Sequence, residues 1–293
     1  MTPGQIKELF FSLKTWKREG KRAPHKPLLV IYAISRVIRG EGHPIPYHQV
    51  KENLASLLEE FGPPRPRYRP EYPFVRLAND KIWDLQGKQP LDSKKDWGDG
   101  FLLENQTTGG FKKEIYCALK KDKELAEDLI AMLLEQNFPS TFHEDILQAV
   151  GLNLGLKTLT KRDPRFRERI LRAYEYQCSV CGFQVRLEGN LVCLEAAHIK
   201  WHQAGGPDVE QNGIALCTMH HKLFDRGAFT VNHSMQFQVA EAAHGTVGYY
   251  EWLMKYHGRI IRYPQRPQYQ PHDSYIDWHA TEVFRDPARY KIS

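Results

Sequence analysis

The sequence predicts an α+β protein of two domains: a mostly helical N-terminal domain with a small β-hairpin, and a C-terminal domain laid out as strand, loop and helix. Three observations predict it. Apolar residues recur at helical spacing in several segments of residues 1–150. Two pairs of Cys and His residues, each with a gap of two, stand at the ends of the stretch from Cys178 to Phe229. Between the halves, Gly151 to Arg162 reads as a linker. The expected boundaries are therefore 1–150, a linker at 151–163, and 164–293.

A chain of 293 residues has room for two domains. Its 41% hydrophobic and 26% charged residues are ordinary for a soluble protein, and no apolar run reaches transmembrane length. The net charge of +6 is compatible with a nucleic-acid partner without requiring one. Five cysteines, four of them claimed by one site below, argue against a disulfide framework and for a reducing, cytoplasmic setting. Met1 to Gln5 does not read as a secretory leader.

In chain order, Pro3 to Arg18 is expected to form an amphipathic helix with Ile6, Leu9, Phe10 and Leu13 inward. Trp16 to Pro27 follows as a basic, turn-rich loop. Leu28 to Arg39 is apolar on most sides, which marks a central helix. A basic loop at a helix start can edge a phosphate site, or it can be solvated charge. Tyr47 to Phe61 reads as a third helix, with Val50, Leu54, Leu57, Leu58 and Phe61 inside. Prolines from Gly62 to Phe74 keep the chain extended and set Arg65, Arg67 and Arg69 at alternate positions. A hairpin is expected next, Phe74 to Leu77 and Ile82 to Leu85 around Asn79-Asp80-Lys81. Asp92 to Gly110 is turn-rich. Helices are expected at Asp122 to Gln136, with Leu125, Leu129, Met132 and Leu133 inward, and at Thr141 to Val150. A helix from Pro164 to Tyr176 opens the second domain. Arg162, Arg165, Arg167, Arg169 and Arg172 either follow DNA phosphates or face water.

Cys178 and Cys181 flank a small turn, and Cys217 and His220 repeat the spacing. Such a gap lets two ligands reach one tetrahedral ion without strain, so the four make a Cys3His structural zinc pattern. Cys193, inside an apolar run, is expected to be core. Leu191 to Ile199 reads as a strand delivering His198, followed by a loop through Gly205-Gly206-Pro207-Asp208 and a short helix through Met219 to Asp225 that Gly227 can stop. That is a ββα-metal layout. Adjacent helical residues diverge by about 100°. If His220 faces the zinc, His221 faces the strand that carries His198.

His198, Asn212 and His221 match the His-Asn-His series of HNH nucleases, and the segments Leu194–Ile199, Asp208–Gly213 and Leu216–Gly227 resemble the McrA-type branch. The resemblance implies that His198 is the general base, that Asn212 orients the loop and the base, and that His221 binds a catalytic divalent metal of the Mg2+ or Mn2+ class. Imidazole suits proton abstraction near neutral pH, and a cation suits the charge on a phosphoryl group. Many members carry Asp or His immediately before the base, where this chain has Ala197. Glu195 is a candidate further ligand or a solvated strand carboxylate. His202 and Asp225 are weaker candidates for the same role, read first as loop or capping residues.

In the first half, Pro24–Leu29, Phe61–Arg65, Glu71–Phe74 and Ile82–Leu85 resemble the sulfur-binding domain of phosphorothioate-dependent type IV restriction endonucleases. The resemblance implies a partner, double-stranded DNA carrying phosphorothioate, and a pocket that offers apolar surface to a soft sulfur. Tyr72 and Pro73 supply that surface, and His25 and Lys26 close it. The second closing position is usually Arg, so Lys26 loses a planar fork but keeps a packing stem. Arg18, Lys21 and Arg22 are expected phosphate contacts that fix register. A homodimer is expected, because cutting both strands needs two sites. An HNH nuclease for methylated or structured DNA and a non-catalytic, zinc-stapled reader remain the alternatives.

Overall fold

The computed structural model describes residues 1–13, 23–88, 97–154 and 164–290. The chain divides into two compact units, Met1–Leu159 and Thr160–Ser293.

The first unit opens with α1 (Pro3–Phe11), where Thr2 and Gln5 form a reciprocal capping box and Ile6 and Phe10 are buried. The helix stops at Phe11 with Ser12 as its C-cap, short of the expected Arg18. The central helix is α2 (His25–Ile38), buried without interruption from Pro27 to Ser35. It starts earlier than expected because Pro24 and Pro27 sit at its first turn, where a missing N–H costs no intrahelical bond. Strand β1 (Ile45–Pro46) leads into α3 (Tyr47–Phe61), whose inward face is the expected one.

The expected hairpin is overturned. Its first arm lies in α4 (Glu71–Arg76), followed by a 3-10 turn at Leu77–Asp80. Pro73 falls in the helix's first turn, and Phe74 and Leu77 are buried at helical spacing. The second arm becomes β2 (Trp83–Gln86). After α5 (Asp99–Glu104), β2 pairs antiparallel with β3 (Thr108–Phe111) in the order β1-β3-β2. Gly109 suits this strand because a Cβ there would lie 2.6 Å from Trp83 Nε1 and 2.8 Å from the Phe74 ring. Three helices complete the unit: α6 (Lys113–Lys121), α7 (Lys123–Asn137) and α8 (Ser140–Ala149). Asp122 caps α7, and α2 packs on α3, α4, α6 and α7.

The second unit starts with α9 (Pro164–Ala173). Strands β4 (Val185–Leu187) and β5 (Asn190–Val192) form a hairpin. The single strand expected over 191–199 is broken at Cys193, which is exposed and left-handed at φ 55°, a correction to its expected place in the core. Past this joint runs β6 (Leu194–His198), paired antiparallel with β7 (Gly213–Cys217), which leads directly into α10 (Thr218–Asp225). The hairpin β8 (Phe229–Val231) and β9 (Phe237–Val239), helix α11 (Val247–Trp252) and helix α12 (Asp273–Glu282) follow. The core of this unit joins Phe166 and Ile170 of α9 to Ile214, Leu216, Phe224, Phe229 and Phe237. Among the described residues, no helix is long and apolar enough to cross a membrane.

Candidate functional site

Cys178, Cys181, Cys217 and His220 come together, with one ligand atom from each inside a sphere of 4.8 Å separations. The first pair sits on a knuckle closed by the Gly182 N–H donating to the Cys178 carbonyl, with Gly182 left-handed at φ 73°. The second pair spans the end of β7 and the first turn of α10. Cys217 Sγ lies 3.2 Å and Cys178 Sγ 3.7 Å from His220 Nδ1, and Cys181 and Cys217 sulfurs are 4.0 Å apart. Tetrahedral zinc, with Zn–S of about 2.3 Å and Zn–N of about 2.0 Å, spaces its ligands by roughly 3.5–3.8 Å. The four groups therefore fit one such ion. His220 Nε2 donates to the Trp252 carbonyl at 2.9 Å, which leaves Nδ1 as the ligand atom. Burial disfavours a charged ring here, yet the three surrounding sulfurs push the His220 pKa up to about 12, so the pocket favours positive charge. Phe229, Phe237, Trp252 and Tyr256 rings enclose it.

His221 faces away from that cluster, as the helical angle requires. Its Nδ1 lies 2.5 Å from Glu195 Oε2 of β6, and its Nε2 lies 3.3 Å from Asp225 Oδ2, one turn on in α10. Glu195 is 42% exposed at its side chain and Asp225 only 2%. Sequence reading treated Asp225 as a capping residue; here it is a buried partner of the imidazole.

His198, at the end of β6, has a different partner. Its Nε2 lies 2.7 Å from Asp208 Oδ1, and its ring stacks on Phe166 at 4.1 Å and 14°. An ionised carboxylate only accepts. In the neutral ring Nε2 therefore carries the proton and Nδ1 is the basic nitrogen. Arg169 braces the same loop, donating to the Asp208 carbonyl at 2.6 Å and pairing with Glu210 at 3.2 Å. Arg167 donates to the Leu194 carbonyl at 2.9 Å. Sequence reading left Arg169 as a phosphate contact or a solvated charge and gave Asp208 and Phe166 no role beside His198. Nothing in their spacing marks them, because two come from α9 and one from the loop after β6.

Asn212 is fully buried. Its Oδ1 accepts from the Lys200 N–H at 2.8 Å, and its Nδ2 donates to the Lys200 and Pro207 carbonyls at 3.0 Å each. It staples the loop after His198 shut. The register sets Gly213 opposite His198 and Leu216 opposite Glu195. The three motif residues thus line one hairpin and its following helix, with His198 held by Asp208 and His221 set between Glu195 and Asp225.

In the first unit, His25 and Lys26 open α2, and Tyr72 and Pro73 lie in α4, which packs on it. Lys26 forms an ion pair with the buried Asp80. Burial, reinforced by the Arg65 guanidinium, lowers the His25 pKa to about 4, so its ring is neutral. Pro73 is buried, and the half-buried Tyr72 ring carries Arg76 at 4.5 Å and Arg69 at 5.4 Å on cation–π contacts. Arg18, Lys21 and Arg22 lie outside the described residues.

The family described as ScoMcrA-like, DNA sulfur-binding domain matches residues 3–154, and the family described as HNH endonuclease matches residues 178–232. No curated protein matches. Among solved structures, the sulfur-binding domain of SprMcrA complexed with phosphorothioated DNA is 22% identical over 52% of this chain and 95% of that one, with a TM-score of 0.45. The corresponding domain of ScoMcrA is 19% identical over 50% of this chain and 95% of that one, with a TM-score of 0.43. The type IV phosphorothioation-dependent restriction endonuclease ScoMcrA is 21% identical over 59% of this chain and 35% of that one, with a TM-score of 0.41.

Proposed function

The chain belongs to the ScoMcrA-like DNA sulfur-binding domain family and also carries an HNH endonuclease domain, and on that basis we propose that it is a restriction endonuclease for phosphorothioate-modified double-stranded DNA. Residues 1–150 read the modification, and 164–293 hydrolyse phosphodiester bonds nearby. The observation that carries this reading is the union in one chain of the sulfur-binding match with a His-Asn-His set in which every member has a defined partner.

His198 Nδ1 takes the proton from the attacking water, and Asp208 holds the ring and favours the imidazolium that forms. Asn212 keeps the loop closed around that pair. His221 and the solvent-facing Glu195 are the residues that would hold a divalent metal, with Glu195 in place of the ligand missing at Ala197. Buried Asp225 orients the imidazole from behind. When bound, a cation of the Mg2+ or Mn2+ class stabilises charge on the phosphoryl oxygens and leaving group. Cys178, Cys181, Cys217 and His220 hold a structural zinc that ties the first knuckle to the start of α10.

For sulfur, Tyr72 and Pro73 offer apolar surface and the neutral His25 avoids a strongly solvated cation at the pocket. Lys26, committed to Asp80, contributes its stem. Arg18, Lys21 and Arg22 contact phosphates. The DNA-bound form is a homodimer in the cytoplasm, which native mass measurement of the complex checks.

The deciding experiment digests one plasmid prepared with and without phosphorothioate, across a series of divalent ions. Cleavage confined to the sulfur-bearing plasmid, and lost in His198→Ala, is the expected result. Equal cleavage of both plasmids leaves a nuclease without sulfur recognition. Selective binding without cleavage under any ion leaves a reader.

A further inference from the structure

The segment from His272 to Arg285 lies outside the 178–232 stretch that matches the HNH family. It nonetheless reaches all three parts that carry the motif residues. At its start the His272 N–H donates to the Gln211 carbonyl at 3.0 Å, one residue before Asn212. In α12 the Trp278 ring meets Trp201 edge-on at 5.8 Å and 61°, just after His198. His279 is fully buried. Its Nε2 lies 3.1 Å from the Phe224 carbonyl, its Nδ1 lies 2.9 Å from Thr230 Oγ1, and its ring lies flat on Phe224 at 3.7 Å and 5°. At the far end the Arg285 N–H donates to the Gly227 carbonyl at 3.0 Å.

The chemistry of these contacts is directional. A carbonyl only accepts, so His279 carries its proton on Nε2, and Nδ1 accepts from the Thr230 hydroxyl. Helix α10 has eight residues, and its last carbonyls lack intrahelical partners. The Phe224 carbonyl accepts from the Gly227 N–H at 2.9 Å in the closing turn, and His279 Nε2 adds a second donor from outside it. Asp225, the next residue, reaches His221 only while the final turn keeps its i,i+4 register. Gly227, left-handed at φ +71°, lets the chain leave α10 under Val283, whose carbonyl would lie 2.1 Å from any Cβ there.

We propose that this C-terminal segment is a clamp that sets the geometry of the HNH hairpin and helix, and that His279 is the positioning residue through which it holds the His221–Asp225 pair. The proposal rests on the nuclease reading of that site. It assigns His279 no contact with DNA or metal.

The test uses the full-length, zinc-loaded chain as wild type, His279→Ala, His279→Gln and Thr230→Val. It measures hydrogen exchange of the amides from Arg226 to Ala228, Mn2+ affinity by electron paramagnetic resonance, and single-turnover cleavage. His279→Ala is expected to retain zinc and phosphorothioate-DNA affinity, exchange those amides about 10-fold faster, and bind Mn2+ and cleave about 10-fold less well, the low end for lost outer support of a metal ligand. His279→Gln, whose amide can donate to the same carbonyl, is expected to recover most of the loss. Wild-type exchange and Mn2+ affinity in His279→Ala overturn the proposal, and so do equal losses in the Ala and Gln variants. If His279→Ala fails to fold, Thr230→Val decides, with roughly threefold effects expected and unchanged values overturning it. A wild type that binds Mn2+ but never cleaves counts against the nuclease reading, while exchange and Mn2+ affinity still judge the clamp.

Discussion

His25 shows how much of the proposed sulfur pocket is set by single residues. Burial, with help from Arg65, holds its pKa near about 4. The unfolded ring takes a proton near pH 6.5, whereas the folded ring resists until about pH 4. The unfolded state therefore binds more protons across that window, so stability is full above it and falls as pH drops, by roughly 3 kcal/mol in all. His25→Gln is expected to flatten the melting temperature between pH 6.5 and 4; an unchanged slope would show that other groups govern it. In the second unit, Asp208→Asn keeps the shape but not the charge beside His198, and is expected to slow cleavage about 10- to 100-fold with DNA affinity unchanged. The motif imidazoles were visible in the sequence. Asp208 and Lys26's partner Asp80 were not, because a side chain's partner is chosen by the fold rather than by spacing along the chain.

At the scale of elements, the loop between β6 and β7 is the most constrained. A Cβ on Gly206 would sit 1.8 Å from the Lys200 carbonyl and 2.8 Å from Asn212 Nδ2. Gly206→Ala is expected to open the Asn212 staple, lower stability by about 1–3 kcal/mol and abolish cleavage. Melting and digestion of the purified variant check both. The cysteines make a second prediction. Cys178→Ser should lose bound zinc and the cooperative melting of the second unit, while Cys193→Ser should lose neither, as elemental analysis of the two proteins will show. Helices α3 and α7 were legible because their apolar periodicity matches their burial, and α2 because an unbroken apolar run is buried on all sides. The region around α4 was not. Asn79-Asp80-Lys81 carries hairpin chemistry, but Phe74 and Leu77 pack inward at helical spacing. The true partner of β2 contains Gly109 and Gly110, which have little strand preference. Close packing against Trp83 and Phe74 overrides that preference.

For the whole molecule, two compact units and two family matches suggest that reading and cutting can be separated by mutation. His198→Ala is expected to keep its affinity for phosphorothioate DNA over plain DNA while losing cleavage. Tyr72→Ala is expected to lose that preference and to cleave modified plasmid poorly. Gel shift on three duplexes, sulfur-bearing, methylated and plain, together with digestion, separates the two phenotypes. A Tyr72→Ala protein that still prefers sulfur would move the pocket elsewhere. Both variants should bind less as salt rises, because phosphate contacts release counterions.

By itself the sequence determined the chemistry available: four side chains spaced to share one metal ion, a His-Asn-His series, the core faces of the main helices, and an aromatic-proline pair in a basic neighbourhood. Such features are local, and local spacing is written in the chain. The tertiary structure alone decided which carboxylate serves which imidazole, that Cys193 is a joint rather than core, that Tyr72 rides a helix, and that the C-terminal segment closes on the motif from outside. Those outcomes depend on which distant surfaces meet when apolar area is buried, and no short window of residues records that.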